Sequence, residues 1–142
     1  MKHLQESQYD NAFGRNQWFA LLDFCHDRGQ FEDLRDLTIK RISTHGVSDS
    51  AIGKVLMGRK YRCKSWIVDG LTELVNAPHH RVSLPTLSEL RVLGEDTALT
   101  ILYMIYETSP QNRGYNYKHR HADCHEVEGK FEREIATYRY DP

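Results

Sequence analysis

The densest set of potential metal ligands lies near the C-terminal end, where His119, His121, Cys124 and His125 offer three imidazoles and a thiol within seven residues. Zinc would need such groups to converge tetrahedrally. The order H-x-H-x-x-C-H lacks the paired spacing that does this, and Cys124 and His125 diverge if both begin a helix. A polar loop is the favoured reading, so no metal and no cofactor is expected. A second candidate is the basic run Lys54, Arg59, Lys60, Arg62 and Lys64, five cations in eleven residues with no acid among them, beside Tyr61 and Trp66. In a corner that resembles a helix-turn-helix, such a run suits phosphate. Against that, 19 Lys plus Arg face 20 Asp plus Glu, for a net charge of -1, and the helix after the corner lacks a polar reading face. A solvated surface is favoured, with nucleic-acid binding kept as the alternative. Cys25 and Cys63 stand in no nucleophile motif and read as small core residues. No catalytic residue is assigned, and the chain is not expected to be an enzyme.

The elements that would position these groups are helical. Trp18, Leu21, Leu22 and Cys25 share one face of a helix closed by Arg28 and Gly29. A second helix runs from Phe31 through Leu34, Leu37 and Ile39 to Ile42, with Glu32 and Asp33 opening it and Lys40 and Arg41 ending it, as the helix dipole favours. Gly46 breaks the pattern, and Ser48 or Ser50 caps a third helix over residues 49–60. A short turn, residues 61–64, leads to a fourth helix over 65–76 carrying Ile67, Leu71, Leu74 and Val75, with Trp66 plugging the corner. Trp18 and Trp66 are therefore read as structural anchors. Residues 79–85 form a loop before a capping box from Thr86 to Glu89 and a stop at Gly94. Beyond it, Ala98, Ile101, Leu102 and Ile105 make an apolar stripe that Leu99, Tyr103 and Tyr106 broaden, which reads as a central core helix. After a loop over 108–122 rich in His, Tyr and Asn, Asp123 and Glu126 start a last amphipathic helix with Val127, Phe131, Ile135 and Tyr138, weakened at Gly129.

Length and composition bound the rest. The 142 residues fit a single all-α domain, a compact bundle of about six or seven short helices. Three well-separated cysteines argue for reduced thiols and an intracellular setting, cytoplasmic or nuclear. Residues 1–16 are polar and lack the apolar core of a secretory signal, and the longest apolar run, 98–106, is too short to cross a bilayer, so no membrane association is expected.

In order and spacing, four pieces resemble one family: the stretch from Trp18 to Phe24, that from Phe31 to Ile39, the corner from Gly58 to Ile67, and the segment from Leu84 to Gly94. Together, residues 17–107 resemble the helical region that follows the BTB/POZ fold in fungal BTB-domain proteins. The resemblance implies a non-enzymatic protein-interaction module, an adaptor whose partner is another protein. The BTB core of that family should precede Gln17, where only sixteen residues stand, so dimerisation and cullin docking through that core are not carried over. The chain then reads as a polar segment, 1–16, a helical domain, 17–107, the loop 108–122, and a C-terminal helix and tail, 123–142. Nucleic-acid binding through the basic run and metal binding through the His-rich loop are the two alternatives.

Overall fold

The corner after Gly58 needs only two residues. Arg62 adopts the left-handed conformation (φ 55°, ψ 42°), which ends one helix and lets the Cys63 amide donate to the Gly58 carbonyl at 2.8 Å. The computed structural model describes residues 14–28, 31–78, 86–108 and 121–136, and among them the chain is all-α, with no strand. The helices are α1 (Arg15–Arg28), α2 (Glu32–His45), α3 (Ala51–Tyr61), α4 (Lys64–Val75), α5 (Leu87–Leu90), α6 (Glu95–Thr108), α7 (Cys124–Lys130) and α8 (Glu132–Ile135), and a 3-10 turn, Arg91–Leu93, joins α5 to α6. They form two compact units that divide between Val47 and Ser48. That division falls inside the stretch 17–107.

In the first unit α1 packs on α2. Trp18, Leu22 and Cys25 are the buried residues of α1, spaced by four and three as one helical face requires. On α2 the buried face is Arg35, Thr38, Ile39 and Ile42, and it differs from the stripe expected through Leu37, which is 47% exposed. The reason is angular. Leu37 lies two residues, about 200°, from Ile39, so both cannot face α1. Thr38 is tolerated inside because its hydroxyl donates to the Leu34 carbonyl at 2.7 Å. Burial pushes the Cys25 thiol above its ordinary range, with the Arg35 charge opposing it, which leaves Cys25 a poor nucleophile.

The second unit is built on α4. Trp66, Ile67, Val68, Gly70, Leu71, Leu74 and Val75 are all buried, and α4 meets α3, α6 and α7. The α3–α4 hairpin is close because two glycines let the backbones approach. A Cβ on Gly58 would stand 2.5 Å from Ile67 Cγ1, and one on Gly70 would stand 2.7 Å from the Ala51 carbonyl oxygen. Ser50, rather than Ser48, caps α3 by accepting from the Gly53 amide at 3.0 Å. Thr86 caps α5 by accepting from the Glu89 amide, and Gly94, at φ 99°, ends the 3-10 turn.

The last helix is not continuous. It is interrupted at Phe131 (φ -109°, ψ 22°), two residues beyond the weak point expected at Gly129, yet Val127, Phe131 and Ile135 all enter the core with Ile67, Leu71, Leu90 and Ile101. Tyr138 lies outside the described residues. Asn76 fastens the start of this segment. Its side-chain amide donates to the Ala122 carbonyl and accepts from the Ala122 amide, both at 2.8 Å and both buried.

Candidate interaction surface

The corner puts the basic run among acids that are remote in sequence. Lys54 pairs with Glu73, Lys64 with Glu128, and Arg59 with Glu134 at 2.5 Å. Arg59 does more than neutralise one carboxylate: its guanidinium also donates to the Leu93 carbonyl at 2.6 Å and to the Thr97 hydroxyl at 2.9 Å. It therefore ties α3 to the 3-10 turn, to the start of α6 and to α8, a use of arginine's planar fork that lysine cannot reproduce. Hydrogen bonding from Lys64 holds the Glu128 carboxyl below its ordinary range. Lys60 lies 5.0 Å from the Tyr61 ring centroid, and Arg62 is exposed at the corner. Three of the five cations thus face glutamates, which reduces the field the run could offer a phosphate backbone.

Both anchors are buried. Trp66 is 2% exposed and meets Tyr61 edge-on at 6.3 Å between centroids, filling the inside of the corner. Trp18 is buried on α1. Of the potential metal ligands, His121, Cys124 and His125 are exposed, and His119 lies outside the described residues. Among the described residues no three His, Cys, Asp or Glu side chains are grouped to hold a metal ion. Cys63 is buried with its Sγ 3.3 Å from the Ser65 hydroxyl, beside the core and away from any open cleft.

The main departure from expectation is α6. Its buried residues are Thr97, Ala98, Ile101, Met104 and Thr108, while Leu99 (62%), Leu102 (37%), Tyr103 (55%) and Tyr106 (58%) are exposed. The residues read as broadening a core stripe are in fact a second apolar face, because Leu99 and Tyr103 sit about 200° from Ile101 around the helix axis. The sequence held a signal for this: apolar residues on α6 extend around more of the helix than contact with one core can use. Tyr103 is held in place at the centre of the face. Its hydroxyl is hydrogen-bonded to Glu107, which keeps the phenol protonated to higher pH than usual, and Lys130 lies 5.6 Å from its ring centroid and 3.9 Å from the Glu107 carboxylate. Beside the face an open groove of about 780 Å3 is lined by Arg59, Glu95, Asp96, Leu99, Lys130 and Glu134, among others. The groove is charged and shallow, unlike the enclosed apolar pocket of a small-molecule site.

Compared with known proteins, the chain matches no family model, no curated protein and no solved structure. Among the described residues no helix is long and apolar enough to cross a membrane.

Proposed function

We propose that the chain is a non-enzymatic protein-interaction module, of the kind implied by its resemblance to the helical region after the BTB/POZ fold in fungal proteins, and that it works in an intracellular compartment. The observation that carries this reading is the exposed face of α6. Leu99, Leu102, Tyr103 and Tyr106 put two aliphatic and two aromatic side chains together on one regular helix. Contiguous apolar surface of that kind is costly to leave in water and marks interaction sites, where tyrosine is a frequent anchor. The Glu107 and Lys130 contacts orient Tyr103 beforehand, which lowers the entropy lost on docking.

The test is capture of proteins by wild-type chain and by a Leu99→Asp/Tyr103→Asp variant with unchanged circular dichroism. The reading expects a partner held by the first and lost by the second. Equal capture by both would remove the α6 face from the function.

A further inference from the structure

Resting on the reading of α6 as a protein-binding face, we infer that its partner is a second copy of this chain, docked antiparallel along α6. The argument is the distribution of charge around the apolar ridge. Glu95, Leu99, Leu102, Tyr103 and Tyr106 follow one another at helical spacing on one side of α6, so the ridge begins with a carboxylate. At its other end stands a cation, Lys130, contributed by α7 and placed by Tyr103 and Glu107. A surface with a negative end, an apolar middle and a positive end is self-complementary under a two-fold axis, because the rotation brings each end against its opposite.

The register follows from the spacing. A two-fold axis at the level of residue 101 sets Leu99 against Tyr103 of the second copy, twice over, and places Glu95 at the level of the second copy's Glu107, where its Lys130 stands. Asp96 then meets the hydroxyl of the second copy's Tyr106, which can donate to it. Each exposed apolar side chain of the central turns gains an apolar neighbour, and each flanking acid gains a donor. A parallel arrangement would put Glu95 beside Glu95 and Lys130 beside Lys130. The helices are long enough, since the fourteen residues of α6 extend about 21 Å and give four turns of contact.

Sedimentation velocity and multi-angle scattering of the full chain decide the matter. The wild type is expected to show a concentration-dependent mass approaching twice 16.6 kDa. Glu95→Lys and Lys130→Glu should each weaken self-association by about tenfold, since a two-fold axis makes two contacts repulsive at once. Mixing the two variants should restore it, because both contacts in the mixed dimer again join opposite charges. Tyr103→Glu, at an exposed position where circular dichroism can verify the fold, should give a monomer. A wild type that remains monomeric at millimolar concentration overturns the inference, as does a dimer indifferent to Tyr103→Glu or a mixture no tighter than its components. A monomeric wild type whose captured partner is still lost in the Leu99→Asp/Tyr103→Asp variant would overturn the second copy alone and leave the protein-binding reading standing.

Discussion

Arg59 shows how little a residue's type says about its role. Within a run of cations it reads as surface charge, yet it contacts a carboxylate, a backbone carbonyl and a hydroxyl supplied by three other elements. Removing it would leave the partly buried Glu134 carboxylate and the Leu93 carbonyl without their donor. Arg59→Ala should therefore destabilise the fold by about 2–3 kcal/mol, toward the lower end of the range for a broken buried pair because the site is partly exposed. Arg59→Lys should recover only part of that, as one ammonium cannot reach all three acceptors. Chemical denaturation of both variants gives the comparison, and equal stability of wild type and Arg59→Ala would show that the network contributes nothing. Arg62 is the contrasting case, a neighbouring cation whose left-handed backbone at the corner, rather than its charge, is what the fold uses.

At the scale of elements, the C-terminal segment behaves as part of the second core. Val127, Phe131 and Ile135 cover α4, and the Asn76 clasp holds the segment's beginning. Deleting residues 123–142 would expose the side of α4 that they cover and leave the Asn76 amide without its partner. The truncated chain should unfold at lower denaturant and self-associate non-specifically in a sizing experiment; a truncated chain of unchanged stability would mean the segment is dispensable to the fold. The α6 helix differs in kind, since one of its faces is in this same core and the other is left to solvent. That difference is why the functional proposal rests on α6 rather than on α7 or α8.

For the molecule as a whole, a net charge of -1 gives no general attraction to nucleic acid, and the local cations are largely matched by glutamates. Binding to duplex DNA at near-physiological salt should be weaker than micromolar, with a shallow salt dependence, because few counterions would be released. Fluorescence anisotropy across a salt series checks this. Sub-micromolar, steeply salt-dependent affinity that vanishes when Arg59, Arg62 and Lys64 are changed to Glu would restore the nucleic-acid alternative.

What was legible in the sequence is what neighbours along the chain decide. Helices were expected near their observed positions because caps and stops act within one turn: Ser50, Thr86 and Asp123 accept from amides three residues on, and Gly46 and Gly94 take positive φ where the helices end. The buried face of α4 was legible for a related reason, as its apolar residues define a face that the core buries. Tertiary structure alone decided which of two apolar faces α6 turns inward, that α2 buries Arg35 and Thr38 rather than Leu37, and that the basic run meets Glu73, Glu128 and Glu134. Those choices depend on partners that only folding brings close, such as Asn76 and Ala122, 46 residues apart, or Arg59 and Glu134, 75 apart. Helical periodicity states that a face exists, whereas the energy of burying one face rather than another belongs to the surface that it meets.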